Sequence, residues 1–546
     1  MKIPDQLITQ LRHDLVFRRI QSGFSKLSSS RACFDAIDPK QENGAALLGI
    51  LAQWVDIGFD SPQIIKRLLT RFSKNLRSQM PLSAYVHVRM AEGFVAMTEE
   101  EFEQAIQHFE IALSLEGEID NKELIAIANF SIGRCRRRTG RYQDALAYIV
   151  RGNKLALELQ YPIMAAVMQV VEAWIAFQEE KNEEAMHILA EAERVLSDTD
   201  DYVSRGNIQS ALGRIARRYG KYQQALHHFE SAIKEYEQLD ASHRNVARSL
   251  VNIASAKRLI ALQLRARIDS NAARRQKKNH QKPAVAALQK SFRSSDRVSF
   301  DRLQRQALAH LADARKIYAR YRDHRGAGAV HINCGYLFLD GGNLDSAASE
   351  ADAAYSVGAE KRDRVLEARA RILRSTVDSA RFEEGIDEGT VPGHPGQAAH
   401  DYAREAIELA KATQSRRLLA KAYLALATAL ANDFFNDVET AHEYCDKAAE
   451  LLSPESQDYV WRDLQVLKRK LMSSGKIDST LRQWTKGIVG EKSFQQISED
   501  FAGILIPRVW RREGCKISRV ADRLSISPKK VRRILRKAGL LDSAKT

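Results

Sequence analysis

Apolar residues recur at helical spacing along most of this chain, and over one stretch the pattern itself repeats. Ala105, Ala145, Ala185 and Ala225 are spaced 40 residues apart. Four positions after each stand Phe109, Ile149, Leu189 and Phe229, and three further on Ala112, Gly152, Ala192 and Ala232. Three positions before the alanines come Phe102, Tyr142, Asn182 and Tyr222; nine before those come Gly93, Gly133, Ala173 and Gly213. Small residues let two helices approach closely, and a large one between them plugs the groove against the next pair. The pattern therefore predicts an all-α chain of helical hairpins. Each hairpin buries its apolar face only by stacking on a neighbour, so an array forms rather than separate globules.

The segments GRYQDALAYIVRG and GKYQQALHHFESA carry glycine, aromatic, alanine, large apolar and small positions in the order of the tetratricopeptide repeat, which this region resembles. The spacing exceeds the usual period of about 34 residues, so the helices or turns should be longer. The frame returns at Gly335, Gly342, Leu344, Ala347, Ala351 and Ala354, and more weakly at Val438, Ala441, Cys445 and Ala448, with Tyr402, Ala403 and Ala406 between. A tetratricopeptide-like superhelix of roughly eight to ten hairpins is expected over residues 1–452. The resemblance implies a concave groove that takes a protein or peptide partner.

Two stretches interrupt the array. Residues 265–298 are basic, polar and broken by Pro283, and read as a solvated insertion between a helix ending near Leu264 and another starting near Ser299. With Phe292 as their one aromatic residue, they offer little for bases to stack on. Residues 382–397, FEEGIDEGTVPGHPGQ, read as a flexible loop. Beyond the array, Ser453 and Pro454 suit the start of a capping helix over 453–473, with Val460, Leu464, Leu467 and Leu471 on one face. Residues 474–492 lose the pattern and read as a linker to a separate domain, 493–546.

That domain has three helical signals. Phe494, Ile497, Phe501, Ile504 and Leu505 mark a first helix that Gly514 should end. Ile517, Val520, Ala521 and Leu524 mark a second; Val531, Ile534, Leu535 and Ala538 mark a third. Between the last two lie only Ser525 and Ile526 before Ser527, a good N-cap, and Pro528, suited to the first helical position; Gly539 supplies the stop. So short a connection forces a sharp angle, which makes a helix-turn-helix. Lys529, Lys530, Arg532, Arg533, Arg536 and Lys537 lie opposite the third helix's apolar stripe.

Ser518, Arg519, Ala521, Leu524, Ile526, Ser527, Leu535, Gly539 and Leu540 match the pattern of the factor-for-inversion-stimulation type of helix-turn-helix, which the C-terminal segment resembles. Two positions depart from it: Gly514 falls one residue early, and Ser525 replaces the turn glycine, where a left-handed backbone would cost roughly 1 kcal/mol. The resemblance implies DNA binding, with the third helix in a major groove and Arg519 on a phosphate. The expected contact set is Lys516, Arg519, Ser527, Lys529, Lys530, Arg532, Arg533, Arg536 and Lys537. It also implies a homodimer, for which the first helix would supply the apolar face.

Charge sharpens this division. The net charge of +15 is concentrated: residues 265–297 carry about +8 and residues 508–546 about +10, so the remainder is close to neutral. Chemistry is not legible. The chain has no GxxxxGK phosphate loop, HExxH, GxSxG, or GxGxxG after a strand, and neither an enzyme nor a cofactor is expected. His227 and His228 follow a repeat alanine and read as surface or packing residues. Glu99, Glu100 and Glu101 sit where they would complement a helix's positive end. Cys33, Cys135, Cys334, Cys445 and Cys515 are scattered and form no CxxC, so they read as small buried residues, with no metal site. The N-terminal stretch lacks the apolar core of a signal peptide, and no run approaches the roughly 20 apolar residues of a membrane span; a cytoplasmic protein is expected. The pattern points to a sequence-specific DNA-binding regulator with a partner-binding superhelix. The alternative is a tetratricopeptide scaffold for protein–protein interaction with a non-specific basic tail.

Overall fold

The computed structural model describes residues 3–278, 295–387, 393–453, 458–474, 493–538 and 540–541, and every regular element among them is a helix. The chain divides into two units, Met1–Lys468 and Arg469–Thr546.

The first unit is a tetratricopeptide-like helical superhelix. Its four regular hairpins pair Leu82–Thr98 with Phe102–Ser114, Lys122–Arg138 with Tyr142–Glu158, Pro162–Gln178 with Asn182–Leu196, and Tyr202–Arg218 with Tyr222–Glu237. Each first helix is 17 residues long, which accounts for the 40-residue period. The four repeat alanines and the large residues after them are fully buried. The packing explains their sizes. A Cβ on Gly93, Gly133 or Gly213 would lie 2.5–2.6 Å from the side chain of Phe109, Ile149 or Phe229, respectively. The third hairpin, with Ala173 instead of glycine, has the smaller Leu189 in the matching place.

Four further hairpins follow, beginning at Arg244, His324, Arg364 and Arg416, and then the single helix Tyr459–Ser474. The N-terminal part is less regular. Glu42–Ile57 packs on Leu82–Thr98, and the backbone N–H groups of Ile20 and Gln21, at the start of Ile20–Ser29, donate to the carboxylate of Asp200 at 2.6 and 2.7 Å.

Several expectations need correction. The basic insertion does not interrupt the helices where its composition suggested: one continues to Lys278 and the next begins at Ser295, while 279–294 lie outside the described residues. Most of 382–397 is helical too. Arg364–Asp387 and Gly393–Lys411 leave only 388–392 outside the described residues, and Phe382 is buried, its ring 6.1 Å from that of Phe434. Proline and glycine there sit at helix ends, where they are tolerated. Pro454 lies outside the described residues, and the described helix starts at Tyr459, its first N–H groups donating to Asp458 and not Ser453. The linker, 475–492, also lies outside. Cys135, Cys334 and Cys445 are buried and Cys33 is partly so, but Cys515 is exposed.

The second unit contains Phe494–Arg512, Ile517–Leu524 and Pro528–Lys537 around a small core of Ile506, Val520, Ala521, Val531, Ile534 and Leu535. The first helix opens with a reciprocal cap between Ser493 and Gln496. Its packed face differs from the one expected: Ala502, Ile506, Val509 and Trp510 meet the other helices, while Phe494 and Phe501 are 85 % and 47 % exposed. A 19-residue helix with apolar residues on two sides has two candidate faces, and spacing does not choose between them.

Candidate functional site

In the C-terminal unit, local geometry sets the angle between the second and third helices. Ser525 takes φ +52° and ψ +41°, the left-handed conformation usual for glycine there. Ile526 N–H donates to Ala521 C=O at 3.0 Å, closing the second helix with a Schellman-type bond. Ser527 then caps the third helix, its hydroxyl oxygen accepting from the Lys530 N–H at 3.2 Å, and Pro528 occupies the first position. Gly514 and Cys515 are both left-handed where the first helix ends, so Cys515, two residues before the second helix, adopts the usual glycine conformation without being glycine. Gly539 lies outside the described residues.

The third helix buries Val531, Ile534 and Leu535 and exposes Lys529, Lys530, Arg532, Arg533, Arg536 and Lys537. These six and Ser527 therefore share one element, while Lys516 and Arg519, also exposed, stand at the start of the second helix. Arg533 pairs with Glu499 at 2.6 Å. The other cationic groups lie on an exposed face, where a phosphate backbone could meet them.

A second site lies inside the superhelix, and sequence reasoning missed it. A cavity of about 400 Å³ is lined by ten arginines and Lys421 against only Asp323, Asp363 and Asp458. All ten arginines come from the first helices of hairpins, and five share the 40-residue register: Arg137 with Arg217, and Arg138 with Arg218 and Arg258. That recurrence was the available signal. It escaped notice because acidic residues elsewhere bring the array's net charge near zero.

Turns of the regular hairpins reach the lining arginines. Glu100, Gly140, Glu180 and Gly220, again in register, all have positive φ. A left-handed glutamate costs roughly 1 kcal/mol, but it places a carboxylate where arginines converge. Glu100 pairs with Arg138 and with His324, and Glu180 with Arg218 at 3.3 Å and Arg417 at 3.2 Å. Glu100 thus bonds across the fold and not to its own helix; Glu99 pairs with Lys66, and Glu101 makes no side-chain cap. Where the turn residue is glycine, backbone serves instead: Gln414 N–H donates to Gly140 C=O at 3.0 Å. Arg462 donates to the Tyr222 hydroxyl at 2.5 Å. The residues joined are 224 to 274 apart in sequence, so successive turns of the superhelix are stitched together.

Arg138, Arg218, Arg258, Arg325 and Arg417 each have a carboxylate partner. Among the described residues, Arg137, Arg214, Arg217, Arg248 and Arg369 pair with none. Burial first, then neighbouring arginines, lower Arg137 well below the usual range and Arg214 to about 9. Burial opposes ionisation of Tyr459, yet Lys421 and Arg417 bring its phenol down to about 8. Arg137 stacks on Trp174, 4.7 Å from the ring centroid, and Arg218 on Phe177 at 3.5 Å. Asn182, in the slot that holds an aromatic residue in the other regular hairpins, accepts from Arg218 at 3.2 Å.

Among the described residues no cluster of three or more His, Cys, Asp or Glu could hold a metal, and no helix is long and apolar enough to cross a membrane. No family model and no curated protein matches the chain. Among solved structures it is similar to a Rap protein complexed with competence and sporulation factor, at 13 % identity over 79 % of this chain and 99 % of that one, with a TM-score of 0.48. It is also similar to an IFIT1 monomeric mutant with Gppp-AAAA, at 13 % identity over 86 % and 96 %, TM-score 0.44. A third is the apo quorum sensor NprR from B. thuringiensis, at 12 % identity over 82 % and 97 %, TM-score 0.35.

Proposed function

We propose that this chain is a DNA-binding transcriptional regulator, not an enzyme, whose superhelix takes up a protein, peptide or smaller effector that sets DNA affinity. One observation carries the reading: the third C-terminal helix, set by a three-residue connection and a left-handed Ser525, exposes six cationic side chains while burying its apolar stripe. Helix-turn-helix modules place such a helix in the major groove, its lysines and arginines on phosphates. The exposed Phe494 and Phe501 support a homodimer, since a second copy would cover them.

The test is DNA binding by the full chain at several salt concentrations, against a variant in which Lys529, Lys530, Arg532 and Arg533 are glutamine. If all four meet phosphates, the slope of log K against log salt falls by roughly 3 to 4, and sequence selection of bound DNA is lost. Weak binding, indifferent to sequence and lost at modest salt, would instead identify a scaffold with a basic tail.

A further inference from the structure

Like charges held together without counter-ions repel, and fold stability alone gives no reason for five half-buried arginines to line one cavity without carboxylates. Removing the lumen's arginines that lack carboxylates would relieve that repulsion, so their presence points to a ligand.

The arrangement restricts the chemistry. The guanidinium fork fits phosphate oxygens two at a time. A polyphosphate concentrates several negative charges within a few ångströms, whereas an extended acidic peptide spreads its carboxylates over roughly 3.3 Å or more per residue. Beside the arginines lies the half-buried Trp174, with Arg137 over its ring and the buried Tyr142 meeting it edge-on at 5.4 Å, an aromatic wall for a base. The cavity of about 400 Å³ falls within the range of small-molecule sites. We propose that the lumen binds a free nucleoside polyphosphate, its phosphates held by Arg137, Arg214, Arg217, Arg248 and Arg369 and its base beside Tyr142 and Trp174. The inference goes beyond the DNA-binding reading and stands without it.

Calorimetric titration and thermal unfolding of the full chain test it, with ATP and GTP as probes and a glutamate hexapeptide and a 5′-triphosphorylated oligoribonucleotide as competing arms. ATP or GTP is expected to bind and raise the melting temperature. Arg214→Gln and Arg248→Gln should each weaken that binding at least about tenfold, the loss of one charge-assisted contact. Without nucleotide, both variants should melt no lower than the parent, because one of several mutually repelling charges has gone. The variant neutral at Lys529, Lys530, Arg532 and Arg533 should keep full nucleotide affinity, so that failure of DNA binding and failure of this site are read separately. The proposal is overturned if neither nucleotide binds, if the peptide or the oligoribonucleotide binds more tightly, or if nucleotide binding depends on the C-terminal lysines and arginines. It is also overturned if Arg214→Gln and Arg248→Gln lower the melting temperature with nucleotide affinity unchanged.

Discussion

Substituting Gly213 by alanine tests the packing rule that builds the array. The new methyl would lie 2.6, 2.8 and 3.0 Å from Cε1, Cδ1 and Cζ of Phe229, a ring with no exposed surface. Alanine in place of glycine within a helix gains about 1 kcal/mol. Overpacking against a ring enclosed on all sides costs about 1–3 kcal/mol, and distances this short belong at the upper end. Gly213→Ala should therefore destabilise by about 1–2 kcal/mol, against the helix-propensity trend. Phe229→Leu alone should cost about 1–2 kcal/mol for the volume it empties. Together the two should cost at least about 1 kcal/mol less than the sum, since the methyl fills the vacated space. The third hairpin already uses this combination as Ala173 and Leu189. Denaturant unfolding of the four proteins by circular dichroism, with hydrogen exchange across 202–237 as a local check, measures the cycle. Additive effects, or stabilisation by Gly213→Ala alone, would refute the reasoning.

His324 should make stability fall on the alkaline side. Burial opposes its charge, but Asp363 and Glu100 outweigh that and raise its pKa from 6.5 to about 9, beside Arg325 and Arg138. Its contribution is complete below pH 6.5 and disappears as pH climbs through 9, a difference on the order of 3 kcal/mol. Denaturant midpoints between pH 6 and 9.5 should fall in the parent and much less in His324→Gln; equal profiles would count against the contact. His87, lowered to about 4 by burial and then Arg12, acts in the opposite window. The unfolded chain takes the proton first as pH drops below 6.5, so stability should fall toward pH 4, and His87→Gln should blunt that fall. Ser525→Gly should relieve the left-handed turn and stabilise the C-terminal unit by about 0.5 kcal/mol, after the entropic cost of glycine. Slower amide exchange at Val531 and Leu535 is the expected result, and faster exchange would contradict the assigned turn.

Features that depend on neighbours along the chain were legible in the sequence. The helix starting at Pro528, its Ser527 cap and the buried stripe of Val531, Ile534 and Leu535 follow from spacing and capping, which act over one or two turns. The repeat alanines are legible for the same reason, because each hairpin contacts chiefly the next. At the C-terminal site the basic residues could be placed on one helix, but not the face on which the first helix packs. Phe494 and Phe501 obey the same periodicity as Ile506 and Val509 and lie on the open side.

The sequence alone therefore determined the helices, their pairing into hairpins and the cationic third helix, all products of interactions local in the chain. Only the tertiary structure decided what the superhelix encloses. Glu100 meets His324, and Glu180 meets Arg417, across more than 200 residues, because small rotations between successive hairpins accumulate until one turn reaches the next. That accumulated curvature turns arginines from six hairpins into one lining, and no local pattern contains it.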